Sequence, residues 1–305
     1  MNELRYIVAV AQERHFGRAA ERCFVSQPTL SIGVKKLEEE LGVTLFERSK
    51  TEISLTPAGA DIVERAQRIL EEVEGLRSAA TDRRDQLHGP LRLGVIYTIG
   101  PYLLPPLLPE LHDLAPQMPL IIAEDFTANL REQLKQGEVD AVVLSLPFDE
   151  PGIVTLPLYE EPFVALLPAS HPLTRHERLK LEELGEEQLL LLGPGHCFRE
   201  QVLAAYSSHA PDTRRKTQQN HNVAGTSLET LRLMVASGLG VTVLPSTAAG
   251  AERYAERLLA IRRLAEPTPR RTVALAWRVT YPRPKAIEVL RQAICRCPLS
   301  GVTVL

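Results

Sequence analysis

The chain has 305 residues, 44% hydrophobic and 24% charged, with a formal net charge of −3. That length supports two or three domains with real cores, and the slight acidity argues against indiscriminate binding to nucleic acid. No apolar run is long enough for a bilayer, no leader precedes the first folded pattern, and four cysteines make no disulfide framework. A cytoplasmic chain without membrane contact is therefore expected.

Leu4 to Gln12 reads as a first helix, with apolar Ile7, Val8 and Val10. A short helix carrying Ala19 and Ala20 follows, then a tight connection at Phe24 to Ser26. Ser26 is placed to cap the next helix, and Pro28 sits in its first turn, where no intrahelical N–H is needed. Leu30, Val34 and Leu37 share one face. The opposite face shows Pro28, Ile32 and Lys35, flanked by Thr29, Ser31 and Lys36, with no acid until Glu38. Small hydroxyls and lysines suit a helix lying in a DNA major groove. The candidate contacts are Gln27, Pro28, Thr29, Ser31 and Lys35; a buried helical hairpin is the plainer alternative. Bases and acids balance at eight each over Met1 to Leu55, so affinity must come from placement and from more than one copy.

Val43, Leu45, Ile53 and Leu55 alternate around a polar tip, predicting a hairpin wing on which Arg48 and Lys50 touch phosphate. Thr56-Pro57 opens a long helix. Ile62, Ala66, Ile69, Val73, Leu76 and Ala80 recur on it at alternating spacings of four and three. That is a heptad seam for a two-chain coiled coil, against the alternative of packing on its own domain. Paired heads would match a two-fold double-stranded operator.

From Leu91 strands and helices alternate, predicting an α/β domain with mostly parallel sheets. The expected division is a DNA-binding unit at 1–56, a linker helix at 57–88 and a regulatory unit at 89–305. The last splits into subdomain I (89–161 and 265–305) and subdomain II (162–264), with a cleft between them. Gly193-Pro194-Gly195 is a turn, and His196-Cys197 opens a helix. A thiol there feels the positive helix end, which favours thiolate, and His196 and Arg199 add positive charge or hydrogen bonds. Thiolate attacks peroxide and becomes sulfenic acid. An inert buried cysteine is the alternative. Cys295-Arg296-Cys297 is too isolated for a metal site, Cys23 is expected in the first core, and neither metal nor cofactor is expected.

Over its whole length the chain resembles the LysR-type transcriptional regulators. Phe16 to Leu37, the run Leu41-Gly42-Val43 with Leu45-Phe46-Glu47-Arg48, and Leu55-Thr56-Pro57-Ala58-Gly59 carry that likeness. Three strings resemble the family's peroxide-sensing branch: Tyr97 to Pro105, Gly195-His196-Cys197-Phe198-Arg199-Glu200-Gln201, and Thr226 to Arg232. The resemblance implies a winged helix-turn-helix, then two α/β subdomains of periplasmic-binding-protein-like type. It implies a homotetramer built as a dimer of dimers, hydrogen peroxide as input and contact with RNA polymerase. It also implies that Thr98, Thr127 and His196 place the peroxide; Ser227 either joins them or caps a helix.

One departure stands out. The family's second, resolving cysteine lies nine residues after the first, and here that position is Tyr206. Three readings follow: a one-cysteine sensor, which is preferred; resolution by Cys295 or Cys297; or loss of peroxide sensing. Two other functions compete: a regulator of this family binding a small organic anion in the cleft, and a thiol peroxidase. The peroxidase leaves residues 1–86 without purpose, so the chain is expected not to be an enzyme.

Overall fold

In the computed structural model the described residues are 1–48, 53–81, 86–209, 224–249 and 257–305. Helix α1 (Asn2–Glu13) crosses α2 (Phe16–Arg22) and α3 (Gln27–Leu41). His15 caps α2 by accepting from the Gly17 and Arg18 amides, and Ser26 caps α3 by accepting from the Thr29 amide. Leu30, Val34 and Leu37 join Ile7, Val10, Ala19 and Ala20 in one core. Gly33 lets α1 and α3 approach closely, since a Cβ there would lie 2.7 Å from the Tyr6 ring. Strands β1 (Phe46–Arg48) and β2 (Ile53–Leu55) form the antiparallel wing. The tip carrying Lys50 lies outside the described residues, as does the Arg48 side chain.

Thr56 caps α4 (Pro57–Thr81) by accepting from the Gly59 amide at 2.9 Å. Only part of the heptad seam on this helix faces outward. Ala66 is 2% exposed and packs with Val63 in the chain's own first core, with Ile62 alongside, because α1 lies across α4. Ile69 is 48% exposed, Val73 is half-buried, and the side chains of Leu76 and Ala80 lie outside the described residues. Lower on the helix, Glu71 is buried and pairs with Arg278 Nε at 2.5 Å, while the Thr280 hydroxyl donates to it at 2.5 Å. The linker helix is thus pinned to the regulatory half by a desolvated ion pair.

The regulatory strands are β3 (Leu91–Ile96), β4 (Leu120–Asp125), β5 (Ala141–Ser145), β6 (Ile153–Pro168), β7 (Arg178–Leu179), β8 (Leu191–Leu192), β9 (Ala224–Gly225), β10 (Thr242–Pro245), β11 (Leu259–Leu264), β12 (Arg270–Arg278) and β13 (Thr303–Val304). The main sheet runs β4-β3-β5-β12-β6-β11-β7, with β10 and β13 also on β6. Pairing is parallel within β3, β4 and β5, between β7 and β11, and between β8 and β9. It is antiparallel wherever β12 or β10 pairs, and for β6 throughout. The sheet is therefore mixed, correcting the expectation of a mostly parallel one. The reason is β6, whose 16 residues run the length of the regulatory half with β12 returning beside it. Pro157 and Pro162 hide this strand in the sequence, and Pro157 is tolerated where the β6–β12 register shifts.

Two cores result. One gathers side chains from 91–159 and 273–297, including helices α5 (Gly100–Leu114) and α6 (Thr127–Lys135). The other gathers Phe163 to Leu264, including α7 (Leu181–Gly185), α8 (Cys197–His209), α9 (Leu228–Ala236) and α10 (Ser246–Ala249). Helix α11 (Pro284–Arg296) closes the first core. Among the described residues no helix is long and apolar enough to cross a membrane.

Candidate functional site

Cys197 is the first residue of α8. The turn before it needs glycine: Gly195 has φ +96°, and a Cβ there would lie 3.2 Å from the Phe126 ring. Behind the thiol, Phe198 and Val202 are buried, which fixes α8 and leaves Cys197 half-buried at the edge of the first core. The thiol lines a cleft shared with Thr98, just past β3, with Asp125, Phe126 and Thr127, between β4 and α6, and with His196. The cleft holds about 10 Å³. That is room for roughly one water-sized molecule.

Each lining group has a distinct state. The Thr98 hydroxyl accepts from Arg271 Nη1 at 2.9 Å, and its carbonyl accepts from Nη2 at 3.0 Å. Thr127 Oγ1 is buried and has no hydrogen-bond partner among the described residues, an arrangement that costs free energy unless a ligand completes it. The Asp125 carboxylate is engaged locally, accepting from the Phe126 amide and the Asn129 side chain. His196 is buried against Phe126, ring centroids 4.8 Å apart. Burial pushes its imidazole below the ordinary 6.5, partly opposed by a hydrogen bond with the Thr226 backbone. Of the two contributions expected of this ring, positive charge or hydrogen bonds, the lowered pKa favours the second.

Two further candidates do not line the cleft. Arg199 turns back to donate from Nη1 to the Leu192 carbonyl at 2.7 Å, bracing β8 against α8. Ser227 caps α9, accepting from the Thr230 amide at 3.1 Å. Cys295 and Cys297 pack against the first core and are likewise absent from the cleft lining. The Cys297 thiol donates to the Ala293 carbonyl at 3.2 Å, and burial pushes it to about 11. Cys23 sits half-buried at the rim of the core of the first domain, formed by α1, α2 and α3, and not within it. Tyr206 is 3% exposed, its buried hydroxyl has no partner among the described residues, and burial raises its phenol far above the usual range.

Sequence reasoning missed the pair behind the site. Arg271 Nε meets Glu161 Oε2 at 2.7 Å, and neither side chain is exposed at all. Glu161 also accepts the Thr247 amide at 2.9 Å. The Arg271 guanidinium lies 5.3 Å over the Phe198 ring, next to the cysteine. The signal was present: an arginine at an inward position of a Val/Ala/Leu strand demands a buried partner.

On the first domain, Gln27, Pro28, Thr29 and Lys35 are exposed along α3, Ser31 is half-buried, and Ile32 is 68% exposed. Lys35 Nζ lies 3.5 Å from Glu39, so it is only loosely held.

Known proteins share this layout. Residues 1–60 match the bacterial regulatory helix-turn-helix family of lysR type, and residues 84–296 match the LysR substrate binding domain. The chain is 38% identical to the DNA-binding transcriptional dual regulator OxyR of Escherichia coli over 294 residues, 96% of this chain and 94% of the relative. It is 41% identical over 295 residues to a probable hydrogen peroxide-inducible genes activator of Streptomyces viridosporus, covering 96% and 92%. Among solved structures, a full-length OxyR variant from Pseudomonas aeruginosa superposes with a TM-score of 0.90 at 53% identity, covering 99% and 97%. A hydrogen-peroxide-bound OxyR variant from Corynebacterium glutamicum superposes at 0.63 with 32% identity, covering 97% and 91%.

Proposed function

We infer that this chain, which belongs to the LysR family of DNA-binding transcriptional regulators, reads hydrogen peroxide through Cys197. One observation carries the reading: the thiol shares a narrow cleft of about 10 Å³ with Thr127, whose buried hydroxyl has no partner among the described residues. A small neutral molecule with donors and acceptors fits such a site. The relative named as a probable hydrogen peroxide-inducible genes activator and the similar structure with hydrogen peroxide bound support the same input.

The chemistry follows from the lining. The Cys197 thiolate attacks one peroxide oxygen and the O–O bond breaks. Sulfur takes that oxygen as sulfenic acid, losing two electrons, while the other oxygen leaves as hydroxide and takes up a proton to become water. Thr127 donates a hydrogen bond to the departing oxygen; neutral His196, its one N–H engaged with the Thr226 backbone, offers its other ring nitrogen as acceptor for a peroxide O–H, and Arg271 holds Thr98 in place. Since Tyr206 cannot resolve a sulfenic acid, the signal is a one-cysteine product: sulfenic acid or a mixed disulfide with a small thiol. Each event is stoichiometric, as suits a regulator and not a peroxidase.

On the output side, α3 enters the major groove with Gln27, Pro28, Thr29, Ser31 and Lys35, and the wing residues Arg48 and Lys50 meet phosphate. Ile69 and Val73 of α4 face a second copy, pairing two heads on one operator, and two such dimers form a tetramer. The assembly works in the cytoplasm and contacts RNA polymerase. The test is intact mass spectrometry after one equivalent of peroxide. The wild-type chain gains one oxygen atom or a thiol adduct, and Cys197→Ser gains nothing. Equal mass changes in both would remove Cys197 as the sensor.

A further inference from the structure

A second cavity, of about 350 Å³, lies where β6, β7, β11 and the start of β12 meet. None of the residues lining the Cys197 cleft lines it. Three arginines face it, Arg178, Arg263 and Arg270, against two glutamates, Glu160 and Glu266. Both carboxylates have local work. Glu160 pairs with Arg270 at 3.0 Å, and Glu266 accepts the amide of Thr268 at 2.9 Å. The Arg178 and Arg263 side chains make no ion pair or hydrogen bond with any described residue, although the Arg178 charge is near enough to help lower the Glu266 carboxyl.

Both arginines are exposed, but they are not scattered. They occupy directly paired positions in the parallel β7–β11 ladder, so their side chains rise from the same face. Adjacent strands lie about 4.8 Å apart, and like charges placed opposite each other cost free energy unless an anion lies between them. The neighbouring Arg262, by contrast, donates to the Thr174 carbonyl at 2.6 and 3.0 Å. The lining also includes the hydroxyl residue Thr268 and apolar Val164 and Leu264, and the volume is at the lower end for small-molecule sites.

We propose that this cavity binds a small anion bearing a carboxylate or phosphate group, held in a fork between Arg178 and Arg263. Guanidinium pairs match such groups with two-point hydrogen bonds. The placement gives the site a purpose beyond peroxide sensing. Glu160 and Arg270 line the cavity, while their chain neighbours Glu161 and Arg271 form the buried pair that holds Thr98. Successive strand residues point to opposite faces, so anion site and peroxide site share the same two strands. The bound anion is a second input to the regulator.

The test uses the reduced full-length chain, titrated by calorimetry with citrate and, separately, with inorganic phosphate. At least one binds saturably at one per chain, and Arg178→Ser and Arg263→Ser each weaken it by about tenfold or more, the loss of one charge-assisted hydrogen bond. Which probe binds separates the carboxylate source from the phosphate source. Hydrogen exchange of β7 and β11 in the wild-type chain slows on adding that probe. Oxidation of Cys197 by peroxide, measured without either anion, is unchanged in both variants, so failure of the peroxide reading and failure of this one are distinguishable. Absence of saturable binding by both anions, or undiminished binding in both variants, overturns the proposal.

Discussion

Glu161→Gln tests whether the pair behind the sensor is an energetic unit. The substitution preserves shape and leaves the Arg271 charge desolvated, with both side chains wholly unexposed in the parent. Breaking one side of a buried pair costs about 3–5 kcal/mol. Arg271→Met removes the other side and costs a similar amount, because Glu161 then keeps only its Thr247 donors. The double variant buries neither charge, so its cost falls short of the sum by about 2 kcal/mol or more. The single tryptophan, Trp277, lies on β12 and reports the regulatory half directly. Urea unfolding followed by its fluorescence gives all four corners of the cycle. Additive single effects, or a cost for Glu161→Gln below about 1 kcal/mol, would refute the reasoning.

Thr127→Val removes a buried hydroxyl that has no partner; folded stability should hold or rise, while sulfenic acid formation at Cys197 slows by about tenfold, the worth of one hydrogen bond. A drop in melting temperature with unchanged reaction rate would assign Thr127 a structural role alone. His196 carries a depressed pKa in the fold, so as pH falls the unfolded chain takes up that proton first. The stability it contributes is whole above pH 6.5 and is lost as pH falls through the lower folded value; His196→Asn should flatten that part of a melting-temperature profile, and an unchanged slope would count against a buried neutral imidazole. Tyr206→Phe deletes another unpartnered hydroxyl and should leave stability within about 1 kcal/mol of the parent and the mass gain with peroxide unaltered; loss of that gain would give the phenol a redox role.

Local signals were legible wherever one element decides its own structure. The Ser26 cap, Pro28 and the Leu30-Val34-Leu37 stripe define α3 without help from the rest of the chain. Cys197 at the head of a helix was readable from Gly193-Pro194-Gly195 before it. What stayed hidden depended on distant partners. Strand β6 carries prolines that only its bulged pairing with β12 accommodates. Ala66 fits a heptad seam by spacing, yet which surface covers it is set by the crossing of α1. Arg199 and Ser227 sit near Cys197 and Thr226 in the chain, but their hydrogen bonds bind them to β8 and α9. Proximity in sequence suggested a shared site that side-chain direction denies.

Tyr206 changes how oxidation must be read out. Nine residues along an α-helix span about 13.5 Å, roughly twice the Cα separation a disulfide allows. A switch using positions 197 and 206 therefore has to unwind α8. In this chain Phe198, Val202 and Tyr206 recur every four residues, each at most 3% exposed, and anchor that helix to the second core. Under a one-cysteine mechanism, the added oxygen must act at the first turn alone. What it presses on there is specific: Phe198 under the Arg271 guanidinium, and Thr98 held by the same group. Arg271 stands near one end of β12, and Arg278 at the other end grips Glu71 of the linker helix. Strand β12 thus joins the surroundings of the sulfur to the helix that carries the DNA-binding head. A contiguous, rigid element is the kind of connection that coupling over such a distance uses.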